Sequence, residues 1–150
     1  MRIGKRTGMA AMLVIAMASC ASVSVPLAPD AFRLEIRDNP SELRFDVELQ
    51  SYHDRALCVS SNNWPLSGGT LRAENTGVYL ETAAGILPLQ GPFVSVYCPG
   101  GCGEVRVEAG ATMSGFFAYS AFGDADRIAA DPSRQLHYAL APQACRRSVR

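Results

Sequence analysis

The sequence predicts an all-β protein: an antiparallel β-sandwich of about seven to nine strands, after an N-terminal signal segment. Three observations carry that prediction. Short stretches of alternating apolar and polar residues recur along the chain, turn-forming residues separate them, and no long stretch has a helical period. At 150 residues, 48% of them apolar, the chain can bury one such core but not two.

Residues 1–19 stand apart. Arg2, Lys5 and Arg6 precede an apolar run over residues 9–18, the basic and hydrophobic regions of a secretory signal. The run is shorter than the roughly 20 apolar residues that a membrane-spanning helix needs. Met17, Ala18, Ser19 and Cys20 resemble the lipobox of bacterial lipoproteins, with Met17 where leucine is usual. That resemblance implies a lipid on Cys20 and attachment to a membrane. Ala21, in place of an aspartate, is similar to the pattern for an outer-membrane, periplasm-facing lipoprotein. Ala16, Met17 and Ala18 also suit an ordinary signal peptidase, which would leave a soluble periplasmic or secreted protein. Cysteine arithmetic favours the lipoprotein, because assigning Cys20 to lipid leaves an even set of four from a total of five. Without residues 1–19, eleven arginines face fourteen acidic residues and no basic stripe remains beyond Arg146, Arg147 and Arg150, so no nucleic-acid partner is expected.

Residues 20–30, with Pro26 and Pro29, read as an extended tether, and residues 31–150 as the folded domain. Phe32, Leu34 and Ile36 alternate with Arg33, Glu35 and Arg37, the pattern of a half-buried strand. After a turn at residues 38–41, Leu43, Phe45, Val47 and Leu49 alternate with Arg44, Asp46, Glu48 and Gln50. Period two over eight residues predicts a strand with one face in the core. A short apolar piece over residues 56–59 holds Cys58, and residues 60–70, rich in Ser, Asn, Gly and Pro, form a loop. Residues 78–82 and 86–89 flank Ala83, Ala84 and Gly85 as a hairpin in which Gly85 supplies a positive φ. Pro88 lacks a ladder donor and places its strand at an edge.

Residues 93–97 lead into Cys98-Pro99-Gly100-Gly101-Cys102, which reads as a pinned corner before the strand of Val105 and Val107. Ala109 and Gly110 turn the chain into residues 112–119, apolar on both faces, which predicts a central strand or one beneath a covering loop. Asp124 is placed to cap one or two helical turns through Ala130. Leu136, Tyr138 and Leu140 mark a last strand that stops near Pro142.

The order from about Phe32 to Cys145 resembles small immunoglobulin-like domains of bacterial exported proteins. The resemblance rests on Asp54-Arg55-Ala56-Leu57-Cys58 after a long alternating strand, on Val107-Glu108-Ala109-Gly110 before an aromatic strand, and on a final strand ending in Cys145. It implies an immunoglobulin-like β-sandwich. Intracellular proteinase-inhibitor-type modules are similar, although they carry Pro-Gly-Glu at the turn where this chain has Ala109-Gly110-Ala111. A fold of this kind does not name a function.

In an exported domain the four remaining cysteines default to disulfides. They allow three pairings, and the sequence does not choose among them. The expected pairing is Cys98 with Cys102 and Cys58 with Cys145. A metal site of Cys98, Cys102 and either His53 or His137 would suit zinc or copper, but one distant histidine beside a C-x₃-C spacing is a weak signal, so neither metal nor cofactor is expected. No G-x-S-x-G elbow, no phosphate-binding glycine loop and no oxygen-rich calcium loop occurs, so no catalytic site is expected either. Binding is the remaining class, and the loop holding Asn62, Asn63 and Trp64 is its candidate, either as an exposed anchor for an envelope protein or a glycan or, the favoured alternative, with Trp64 folded back over the core. Phe116, Phe117, Tyr119 and Phe122 read as core. The sequence thus predicts an exported, lipid-anchored interaction or structural module. The alternatives are an inhibitor presenting a rigid loop to an extracytoplasmic hydrolase, and a metal-binding protein using Cys98 and Cys102.

Overall fold

The structure is a computed structural model and describes residues 27–65, 77–90 and 103–145. Nine strands make three antiparallel sheets of three strands each, with a single α-helix among the described residues. The protein is therefore all-β. β1 (Phe32–Asn39) pairs with β2 (Arg44–Ser51), and β2 pairs with β7 (Thr112–Ala118). β3 (Leu57–Ser60) lies between β6 (Glu104–Val107) and β9 (Gln143–Ala144). β4 (Val78–Thr82) lies between β5 (Gly85–Pro88) and β8 (Gln135–Tyr138).

All three sheets turn one face onto a shared core. The strict alternation of β2 buries Phe45, Val47, Leu49 and Ser51 and leaves Arg44, Asp46, Glu48 and Gln50 half-exposed. Onto these pack Phe117 from β7, Leu57 and Val59 from β3, Val107 from β6, and Val78, Leu80, Leu136 and Tyr138 from β4 and β8. The short helix α1 (Ala125–Ala130) adds Ile128. Its start follows from the sequence: the Asp124 carboxylate accepts the Arg127 N–H at 3.0 Å, which satisfies one of the unpaired donors of the first turn.

Several expectations hold in detail. The β4–β5 turn is the two residues Ala83 and Ala84, with Gly85 at φ 122°, and β5, which carries Pro88, is an edge strand of its sheet among the described residues. Phe117, Tyr119 and Phe122 are fully buried, whereas Phe116, expected in the core with them, is only partly buried and lies beneath Arg44 on the other face of β7. Two expectations need correction. Leu43 does not begin β2: it closes a 3-10 turn (Pro40–Glu42) in the left-handed conformation, φ 51°, and is 37% exposed. The Leu43 carbonyl accepts the Tyr119 N–H at 2.8 Å, and this long-range bond holds the turn where alternation alone predicted a strand. The chain also does not leave the sheets at Pro142, because Gln143 and Ala144 pair with β3 as β9. The segment expected as a strand over residues 93–97 and the corner of Cys98 and Cys102 lie outside the described residues.

Candidate functional site

Cys58 and Cys145 are joined by a disulfide, with Cα atoms 4.9 Å apart. The elements explain the meeting. β9 lies beside β3 in antiparallel register, Cys58 opposite Gln143 and Leu57 opposite Ala144. The ladder runs on past β9, since the Cys145 N–H donates to the Ala56 carbonyl at 2.9 Å. Arg55 closes the junction by donating from Nη2 to the Cys145 carbonyl at 2.8 Å. Of the three pairings open from the sequence, this structure holds one bond of the expected set. Cys20, Cys98 and Cys102 lie outside the described residues.

The loop of Asn62, Asn63 and Trp64 starts directly after β3. Trp64 is 4% exposed and belongs to the core cluster, so its indole folds back over the sandwich and presents no ring to solvent. That is the favoured sequence reading, and the exposed anchor is set aside. Gly115 of β7 explains the close fit. A Cβ there would stand 2.8 Å from Pro65 Cγ, 3.2 Å from the Pro65 carbonyl oxygen and 3.3 Å from Trp64 Nε1. β7 therefore runs under a covering loop, the second of the two placements its two-sided apolar pattern allowed. Gly115→Ala should destabilise the fold by about 1–3 kcal/mol through overpacking. Chemical denaturation together with a red shift of Trp64 fluorescence would measure it, and an unchanged emission maximum would refute the packing.

The covering loop and β7 bound a cleft of about 470 Å³, lined by Trp64, Pro65, Val105, Met113 and Phe116, with Arg44 and Asp46 at its rim. Arg44 Nε donates to Asp46 Oδ1 at 2.7 Å, and the guanidinium lies over the Phe116 ring, 4.9 Å from its centre. The Asn62 Oδ1 atom is buried without a hydrogen-bond partner among the described residues. This surface is largely apolar, and its rim charges Arg44 and Asp46 pair with one another.

The most connected polar group was not singled out by the sequence. Tyr119, fully buried at the end of β7, donates its hydroxyl to Asp38 Oδ1. Arg134 Nε donates to the Tyr119 oxygen at 3.0 Å, and Nη2 pairs with Asp38 Oδ2 at 2.8 Å. Nη1 donates to the carbonyls of Ala129 and Asp131 at 2.8 and 2.7 Å. Arg134 thus ties the end of β1, the end of β7 and the segment after α1 into one node. Its parts are 81 and 15 residues from Tyr119, so no local spacing announced it.

Among the described residues neither histidine stands beside a poised nucleophile. His53 Nδ1 accepts the Arg55 N–H at 3.0 Å and lies 3.1 Å from Asp54, a local turn contact. His137 lies on the outer face of β8, stacked on Tyr79 with ring centres 4.6 Å apart and Nε2 at 2.9 Å from Glu81. Among the described residues, no three His, Cys, Asp or Glu side chains gather as a metal site would need. No helix of the described residues is long and apolar enough to cross a membrane.

Two buried tyrosines make the fold sensitive to alkali. Burial pushes the hydroxyls of Tyr119 and Tyr138 above their ordinary range; the Asp38 bond raises Tyr119 further, while Arg134 opposes the rise. A raised folded pKa means that the unfolded chain loses these protons first. The stabilisation is intact below pH 10 and is lost as the pH rises above it through the folded pKa values. Urea titrations between pH 8 and 11.5 should show stability falling only in the upper part of that range. Tyr138→Phe should flatten the fall, and a profile identical to that of the unaltered protein would refute the assignment.

Comparisons with protein-family models, with curated proteins and with solved structures returned no match.

Proposed function

We propose that this chain is an exported, lipid-anchored protein whose immunoglobulin-like β-sandwich serves a cell envelope as a non-catalytic interaction and structural module. The observation that carries the reading is the bond between Cys58 and Cys145. Such a bond persists in oxidising compartments and is rare where thiols are kept reduced, in agreement with the signal-like start of the chain and the lipobox resemblance at Cys20. The packing of three antiparallel sheets around one core is compatible with a sandwich of the immunoglobulin type.

Metabolic labelling of producing cells with a clickable fatty acid tests the anchor. The unaltered chain should carry the label and sediment with membranes, and Cys20→Ser should lose both properties. A cytoplasmic protein whose Cys58 and Cys145 react as free thiols would overturn the reading. An unlabelled periplasmic protein with the bond intact would remove the anchor and keep the export.

A further inference from the structure

β1 and β2 are the longest strands described, at eight residues each, and β1 forms the edge of its sheet among the described residues. The phase of its hydrogen bonds follows from two contacts. Tyr52 N–H donates to the Ala31 carbonyl at 2.9 Å, in register with the β1–β2 ladder, while Ser51 N–H donates to Ala111 on the β7 side. Antiparallel ladders alternate. Arg33, Glu35 and Arg37 therefore direct their main-chain groups to β2, and Phe32, Leu34 and Ile36 direct theirs outward.

The side chains of this edge are incompletely served within one copy. Phe32, Leu34 and Ile36 pack against the core yet stay only partly buried, whereas their counterparts in β2 are fully buried. On the opposite face Glu35 stands directly across from Glu48, a like-charge pair, and Arg33 stands across from Gln50 with no ion pair among the described residues. Glu35 pairs with Arg37, whose Nε lies 2.8 Å away, and Arg37 together with Arg33 holds its carboxyl below the usual range.

We propose that β1 is a self-association edge, and that a second copy of this chain adds its own β1 antiparallel to the first, centred on Leu34. In that register Leu34 faces Leu34 of the second copy, Phe32 faces Ile36, and Arg33 faces Glu35 on both sides of the two-fold axis. The outward main-chain groups of Phe32, Leu34 and Ile36 meet their equivalents. The Arg33–Glu35 pairs fall at non-hydrogen-bonded positions, where cross-strand side chains approach most closely. Each Glu35 gains a cation opposite its acidic neighbour. A register centred on Ile36 would set Leu34 against Asp38, which is committed to Arg134 and Tyr119. The two sheets would join into one of six strands. This names a partner within the interaction-module reading and does not depend on export or on the lipid.

The test is sedimentation equilibrium of the full chain, as processed by an exporting host, in mild detergent at low salt. The unaltered protein should dimerise. Arg33→Glu and Glu35→Arg, each alone, should weaken the dimer about tenfold, because each turns two attractive pairs into repulsive ones. The double variant R33E/E35R restores the pairing and should return the dissociation constant to within about threefold of the original. Far-UV circular dichroism and the state of the Cys58–Cys145 bond establish that each variant is folded. A protein that stays monomeric up to ~200 µM, beyond the range of even a small specific interface, would overturn the proposal. So would single variants that associate normally, or a double variant no better than the singles. Failure here leaves the fatty-acid labelling result untouched, so the two readings fail separately.

Discussion

Replacing Cys58 and Cys145 together with alanine should lower the unfolding free energy by about 3–5 kcal/mol. The bond links residues 87 positions apart, so in the chain-entropy account it removes much of the freedom of the unfolded chain. It also holds β9, only two residues long, against β3. Without the covalent link the two β9 pairs, the backbone bond from residue 145 to Ala56 and the Arg55 hydrogen bond must retain that segment against its conformational entropy. Domains of this size have total stabilities of about 5–15 kcal/mol, so the variant should approach the margin of folding. Replacing both residues avoids a lone thiol that could pair with Cys98 or Cys102. Urea unfolding is the measurement, with a lower midpoint and a steeper m-value as the unbridged unfolded chain expands. A loss below about 1 kcal/mol would show that the bond is incidental to the fold.

Arg134→Leu should cost about 2–3 kcal/mol, the second largest effect. The Arg134 side chain is 11% exposed, and its guanidinium engages every part of the node: the Tyr119 hydroxyl, the Asp38 carboxylate and two carbonyls. Leucine can fill the volume over the Tyr119 ring but takes the guanidinium donors away from the Tyr119 oxygen, Asp38 Oδ2 and the Ala129 carbonyl, while Asp38 Oδ1 keeps the Tyr119 hydroxyl. Solvent still reaches Asp38, which is 37% exposed, and this keeps the cost below that of breaking a wholly buried pair. Tyr119→Phe should cost less, about 1 kcal/mol, because Arg134 and Asp38 keep each other. A double-mutant cycle between Arg134→Leu and Tyr119→Phe isolates the node: a coupling above about 0.5 kcal/mol is expected, and strict additivity would refute it as a unit.

Most of the strands were legible because their signals are local. The alternation of residues 44–51 names the buried face of β2 without any partner in view, since successive side chains must point to opposite sides of a pleated chain. Pro88 marked an edge for the equally local reason that it has no N–H to give. Leu43 shows the limit of that reasoning. It fits the alternation, yet a bond from Tyr119, just after the distant strand β7, holds its carbonyl, and the residue takes a left-handed turn instead. β9 was missed for a related reason: two residues after a proline have no period to read, and only the neighbouring β3 makes them a strand.

The sequence by itself determined the all-β class, the phase of the long strands and the cap of α1. Each of these depends on residues within one turn or one strand of each other. Only the tertiary structure decided that Cys58 reaches Cys145, that Trp64 lies against Gly115 beneath the surface, and that Asp38, Tyr119 and Arg134 form one node. Those contacts join segments that no local spacing relates, and they form where the packing of the three sheets brings them within reach. The edge of β1 belongs to both. Its charges and apolar residues are plain in the sequence, but Glu35 comes to stand across from Glu48 only once β1 and β2 have taken their register.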